Sequence, residues 1–292
     1  MYELEEELQN RRYQEIEKLI EWKKLNEARK AAVSLIQDMP EDPYAYALLG
    51  RVSLYQDEYE QALHWVSESL RHDPENELAW FVQCNTYYTM EKWKAALESI
   101  AEAQRIDPYE PHYFFLLANI YNKTSKYAEA RDLLLEALEL SPENALYLAN
   151  LSYNEALLRN FSESKMLANQ ALRLEVESEL VYMYLAWSAE RRNDYDDYLI
   201  MLKNAIRLDP DDKQIRKEYM EGLQKTYKVF KFLLFPSNLM KKMKPWQILL
   251  GWITLWIIFR PLMIAFLILY YATYWITRLL VHVKLFGWNF RR

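Results

Sequence analysis

Residues 74–107 read PENELAWFVQCNTYYTMEKWKAALESIAEAQRID, and residues 108–141 read PYEPHYFFLLANIYNKTSKYAEARDLLLEALELS. Each stretch is 34 residues long, opens on proline and brings the same residue types to the same places. Counting outward reaches Pro40, Pro142 and Pro210 at that spacing or twice it, with Val176 at the skipped position. A fixed period of this length marks a tandem array in which each unit packs on its neighbours. Other columns hold the register. At offset +19 from each unit's first position stand Tyr59, Trp93, Tyr127, Phe161 and Tyr195. Small residues recur at +10 (Gly50, Cys84, Ala118, Ser152, Ala186) and at +29 (Ser69, Ala103, Ala137, Ala171, Ala205), where two helices approach closely. Offset +6 carries Tyr46, Trp80, Phe114 and Leu148, and +22 carries Ala62, Ala96, Ala130 and Ser164 before lapsing to Tyr198.

The unit boundaries predict helix pairs. Each proline disfavours helix in the residue before it. Two residues later stand Asp42, Asn76, Glu110, Asn144, Ser178 and Asp212, and all but Glu110 are favoured N-cap types. Pro43 and Pro111 suit a first helical turn, where the missing N–H costs little. Polar stretches such as Gln56-Asp57-Glu58 and Arg192-Asn193-Asp194 are long enough for a tight turn between two helices. The chain holds only four glycines among 292 residues, against roughly 7% in average usage. Glycine-built phosphate loops and hairpin turns are thereby excluded, and the expected class is all-α.

A 34-residue helix–turn–helix unit with these columns resembles the tetratricopeptide repeat family. Five units match over residues 40–209, residues 1–39 read as a degenerate N-terminal repeat, and residues 210–224 as a polar cap helix bearing Ile215, Tyr219 and Leu223 on one face. The resemblance implies a superhelical solenoid of antiparallel helix pairs whose first helices line a concave groove at offsets +4, +7, +11 and +14. Carried onto this chain, those columns give Phe81, Asn85, Tyr88, His112, Phe115, Asn119, Asn122, Tyr153 and Trp187 as the expected protein-binding groove. Family members that clamp the carboxylate of chaperone tails use basic residues in such places, and the +7 column here (Ala47, Phe81, Phe115, Ala149, Met183) has none. Asn85 and Asn119 are expected to pair with the backbone of an extended peptide, because an amide offers both donor and acceptor. The competing reading for each aromatic is packing between repeats.

Catalytic and metal chemistry find no pattern. The lone Cys84 sits in a small column, the four histidines show no ligand spacing, and no phosphate loop, HExxH or GxSxG occurs. No enzyme activity and no cofactor or metal is expected. Three Asn-x-Ser/Thr triplets, at Asn122, Asn150 and Asn160, fall in or beside repeat helices and read as chance.

The net charge of −6 divides sharply. Residues 213–292 hold fourteen Lys/Arg and two acids, +12, which leaves −18 on residues 1–212. An acidic body repels nucleic acid, so none is expected as a partner, whereas the basic end is drawn to phosphate. From Pro245 to Thr277 the sequence is apolar except for Arg260. At about 1.5 Å per residue this run exceeds the roughly 30 Å hydrocarbon core as one straight helix. Arg260-Pro261 divides it, leaving a helical hairpin with basic flanks on one side or a single kinked span. Trp246, Arg260, Pro261 and Trp275 are the expected anchor residues of the segment 246–292, preceded by a basic, aromatic juxtamembrane stretch at 225–245. The N-terminus MYELEEELQNRRY has neither the basic nor the apolar region of a secretory signal. The expectation is thus a C-terminally membrane-anchored adaptor with its repeats in the cytoplasm, holding a protein or peptide ligand. The alternatives are a dedicated subunit packed against other membrane proteins and a membrane-shaping hairpin protein.

Overall fold

The computed structural model describes residues 2–174, 177–226 and 267–279. Among these, all regular structure is helical. The chain divides into two compact units, Met1–Tyr147 and Leu148–Arg292. The first contains α1 (Tyr2–Glu21), α2 (Leu25–Asp38), α3 (Pro43–Tyr55), α4 (Tyr59–His72), α5 (Glu77–Thr89), α6 (Trp93–Ile106), α7 (Pro111–Lys123) and α8 (Tyr127–Leu140). The boundary falls within α9 (Ala145–Leu157). The second continues with α10 (Phe161–Arg173), α11 (Glu179–Arg191), α12 (Tyr195–Leu208) and α13 (Lys213–Thr226). A further helix, α14, covers residues 267–279.

The 34-residue period is written into the backbone as well as the side chains. Lys23, Asp57, Glu91, Ser125, Arg159 and Asn193, spaced by 34, all have φ between 55° and 67°. Each ends the first helix of a pair in a left-handed residue. The next N–H reaches back over five residues: Lys24 to Leu19, Glu58 to Ser53, Lys92 to Tyr87, Lys126 to Tyr121, Asn160 to Glu155 and Asp194 to Ala189, all at 2.8–3.0 Å. This is the Schellman closure, which satisfies carbonyls a helix end would otherwise leave orphaned. The +19 aromatics are then the first residues of the second helices. Two of them, Tyr59 and Tyr127, bond through their hydroxyls to the side chains of the left-handed Asp57 (2.9 Å) and Ser125 (3.3 Å).

Capping departs from expectation at two boundaries. Asp42, Asn76, Asn144 and Asp212 accept backbone N–H bonds from the first turn of their helices. Glu110 does so too, reaching the N–H of His112 at 2.9 Å, although glutamate is not a favoured cap. Ser178 makes no cap bond. It follows the position where Val176 replaces the periodic proline. The +6 aromatics secure the same turns, Tyr46 Oη and Trp80 Nε1 donating to the carbonyls of Pro40 and Pro74 at 3.0 and 2.9 Å.

The small columns are buried throughout. At Gly50 a Cβ would stand 3.1 Å from Val66 Cγ2, tighter than ordinary contact, so the α3–α4 crossing needs the absence of a side chain there. Around this crossing Ala47, Leu54, Ala62, Val66, Ala79 and Val82 form one core, while Ile16, Ile20, Ala28, Ala32 and Leu35 join Leu48, Leu49 and Val52 in the adjoining one. Ile16 and Ala28 therefore occupy core places in the α1–α2 pair. In the second unit Tyr198 fills the +22 position that alanine or Ser164 holds in the preceding repeats, and Gly222 on α13 makes the room. A Cβ at Gly222 would come within 2.7 Å of Tyr198 Cε1.

No helix among the described residues is long and apolar enough to cross a membrane. Of the expected anchor residues, Trp246, Arg260 and Pro261 lie outside the described residues, and Trp275 is on α14, 62% exposed.

Candidate partner-binding face

The first helices of the pairs carry the expected groove residues. In the first unit they interlock. The rings of Phe81 on α5 and His112 on α7 lie 4.8 Å apart, His112 and Phe115 5.5 Å, and Phe115 and Tyr147 5.5 Å. This ladder spaces one repeat from the next with aromatic faces, and Phe115 is almost wholly buried in it. Asn85 sits beside the ladder. Its Nδ2 donates to the Phe81 carbonyl at 2.8 Å, so its Oδ1 is the acceptor for His112 Nε2 at 2.9 Å. Neutral His112 thus carries its proton on Nε2. Burial pushes the His112 pKa down to about 4.

Asn119 repeats the arrangement one unit later, donating to the Phe115 carbonyl at 3.0 Å, and it is buried. The amides expected to meet a peptide backbone therefore already donate to the preceding helical turn, a local competitor that asparagine always offers. Tyr88 packs its ring on Trp93 at 5.7 Å and has its hydroxyl pKa pushed up to about 12 by burial. Asn122 is half-buried near the end of α7.

In the second unit Tyr153 and Trp187 come together with Tyr184, at 5.9 Å between Tyr153 and Trp187 and 5.3 Å between Tyr184 and Trp187. The indole Nε1 of Trp187 donates to Glu218 Oε2 on α13 at 2.8 Å, so this tryptophan also fastens the last described helix of the array.

Two polar networks escape the sequence columns. On α1 and α3, Tyr13 Oη donates to Asp42 at 2.5 Å and Tyr44 Oη to Glu17 at 2.8 Å, while Arg51 lies 3.8 Å from Glu17. Burial and the Glu17 carboxylate push the Tyr44 hydroxyl up to about 12. In the second unit the buried hydroxyls of Ser152, Ser164 and Ser188 bond to one another, at 2.7 Å for Ser152–Ser188 and 3.1 Å for Ser164–Ser188. Arg192 donates to both Ser164 and Ser188, and burial lowers its pKa. A serine in a small-residue column was the available sign, since a buried hydroxyl requires a partner.

No group of three or more potential metal ligands occurs among the described residues. Residues 81–145 match the family described as tetratricopeptide repeat. No curated protein matches the chain. Among solved structures, Pseudomonas aeruginosa pilF is similar with a TM-score of 0.57 at 16% identity, over 74% of this chain and 96% of that one. A tetratricopeptide repeat protein from Parabacteroides merdae gives 0.60 at 11%, over 72% and 82% of the two chains. PilW, described as a widely conserved type IV pilus biogenesis factor, gives 0.51 at 18%, over 66% and 98%. The family match is confined to residues 81–145, and the neighbours show that the chain shares the all-helical repeat fold of such structures.

Proposed function

We propose that this chain is a non-enzymatic adaptor of the tetratricopeptide type, which holds a protein or peptide partner on its first helices while its C-terminal segment keeps the assembly at a membrane, with the repeats on the cytoplasmic side. The observation that carries the partner half is the fixed, half-exposed aromatic surface that the first helices present within each unit. Phe81, Tyr88, Tyr153 and Trp187 each keep an accessible edge, while ring contacts and, for Trp187, a bond to the Glu218 carboxylate hold several of them in place. Rigid aromatic surface binds with little ordering cost, which is what such faces supply at interfaces. Tetratricopeptide proteins bind protein or peptide partners, and a neighbour of the same fold type is a pilus biogenesis factor, which fits a role in assembly. The membrane half rests on the apolar run from Pro245 to Thr277 and the +12 charge around it. Anchoring raises the local concentration of whatever the repeats hold.

Cross-linking mass spectrometry of the full chain in its native membrane tests the reading. The expected cross-links run from a partner to the first helices α5 and α7 and fade in Phe81→Ala and Tyr88→Ala, with thermal melting as the check on folding. Cross-links confined to the second helices of the pairs, and unchanged in both variants, would sink it.

A further inference from the structure

Helix α14 is built inside out. Thr273 and Thr277 are its buried residues, at 7% and 3% exposure, whereas Ile268, Tyr271, Trp275 and Ile276 are each more than half exposed. At 100° per residue the threonines share one side with Tyr270 and Tyr274, and the large apolar side chains sweep the rest of the circumference. Both hydroxyls are turned onto their own helix, Thr273 donating to the Leu269 carbonyl at 2.8 Å and Thr277 to that of Thr273 at 2.7 Å. Polar groups satisfied within the helix and apolar groups facing out suit a surface that meets hydrocarbon rather than water.

Beside this helix lies a cleft of about 430 Å³, lined by Lys213, Arg216, Lys217 and Glu221 of α13 and by Tyr274 and Arg278 of α14. Four cations face one carboxylate. Arg216 is steadied by the carbonyls of Asp211 (2.9 Å) and Asp212 (3.4 Å), and Arg278 lies 5.7 Å from the Trp275 ring centroid. The acids of α13, Glu218 and Glu221, both lie beyond its first turn, and only Glu221 lines the cleft, so like charges gather there in excess. A water-facing surface gains nothing from such a gathering, whereas an anion in the cleft offsets it.

We infer that this cleft binds the phosphodiester headgroup of an anionic glycerophospholipid while the exposed apolar side of α14 lies in the membrane interface. The inference rests on the membrane half of the proposed function. Charge complementarity selects the lipid among possible occupants: the cleft is cationic, the apolar side adjoins it, and Trp275 and Tyr271 are the residue types that populate the headgroup boundary.

The test uses the full chain in two arms. In detergent solution it is titrated with short-chain phosphatidylglycerol, short-chain phosphatidylcholine and inorganic phosphate, and in parallel it is floated with phosphatidylcholine vesicles with and without about 20% phosphatidylglycerol. Phosphatidylglycerol should bind more tightly than phosphatidylcholine and resist displacement by inorganic phosphate at equal concentration. The preference should fall about fivefold for each of Lys213→Gln, Lys217→Gln and Arg278→Gln. Glu221→Gln should increase it. All four side chains are exposed, so the fold survives their replacement, which far-UV circular dichroism verifies. Equal affinity for the two lipids, or a preference kept by the triple variant, overturns the headgroup site while flotation leaves the membrane reading standing. Failure to float with either vesicle overturns both. Displacement by inorganic phosphate assigns the cleft to a free anion and overturns the lipid source. A second protein held stoichiometrically on α14 in place of lipid overturns it as well.

Discussion

His112 makes the stability of the repeats depend on pH in a direction the structure dictates. Its ring lies between Phe81 and Phe115 with Nε2 on Asn85 Oδ1, and burial takes its pKa from an ordinary value of 6.5 down to about 4. A base with a depressed pKa binds fewer protons folded than unfolded. Its contribution is therefore fully present above about pH 6.5 and is lost as pH falls toward 4. A gap of about 2.5 pH units at 1.36 kcal/mol each amounts to about 3.4 kcal/mol. The half-buried ring keeps an edge open to water, which trims this to about 2–3 kcal/mol. The assay is urea unfolding of the full chain followed by far-UV circular dichroism between pH 8 and 4, for wild type and for His112→Gln. Carboxylates titrate in the same range, so the informative quantity is the difference between the two proteins. Wild type should lose about 2–3 kcal/mol more than the variant on acidification. Nuclear magnetic resonance of the four histidines supplies the direct value. Parallel pH curves, or a His112 resonance titrating near its ordinary value, would refute the reasoning.

Three further expectations concern packing and backbone. Gly222→Ala in an ordinary helix would gain about 1 kcal/mol, but here the new Cβ meets Tyr198 at 2.7 Å and Leu199 at 2.9 Å, so melting should occur at lower temperature by the equivalent of about 1–3 kcal/mol. A rise in melting temperature would contradict the packing described. Arg159→Gly relieves a left-handed residue with φ of 67° and should stabilise by up to about 1 kcal/mol, whereas Asn193→Gly, at a residue type that visits this region readily, should change stability much less; equal effects would argue against backbone strain as the cause. Cys84 is fully buried and its thiol is pushed up to about 12, so alkylation by iodoacetamide at pH 8 should proceed only as fast as local opening and become rapid in urea. Prompt labelling of the native protein would mean that the +10 column is open to solvent.

Most of the fold can be read along the chain because a tandem array repeats the same short-range physics. Proline at 40, 74, 108, 142 and 210, the small columns and the +19 aromatics each act within one unit or on its nearest neighbour. The departures are also physical. Glu110 caps α7 because its longer side chain still reaches the N–H of His112, and Ser178 has no cap bond beside the position that lacks its proline. Left-handed turns at Lys23, Glu91 and Arg159 were invisible as residue types, since nothing in a lysine, glutamate or arginine announces positive φ. Their regular spacing emerges only once the backbone is seen.

Side-chain roles were less legible than positions. The columns placed Phe81, Asn85, His112, Phe115 and Asn119 on the first helices, but a column cannot say whether an amide faces a ligand or its own backbone. Asn85 donates within its own helix to Phe81, and its bond to His112, 27 residues on, exists only when α5 and α7 stack.

By itself, then, the sequence determined an all-α array of 34-residue helix pairs, an acidic body and a basic, apolar end, because period and charge are properties of the chain. Tertiary structure alone decided that Gly222 makes room for Tyr198, that Trp187 is fastened to Glu218, and that Arg278 joins Lys213, Arg216 and Lys217 around one cleft. Those groups are distant along the chain, and what they do depends on distances of a few ångströms that no spacing encodes.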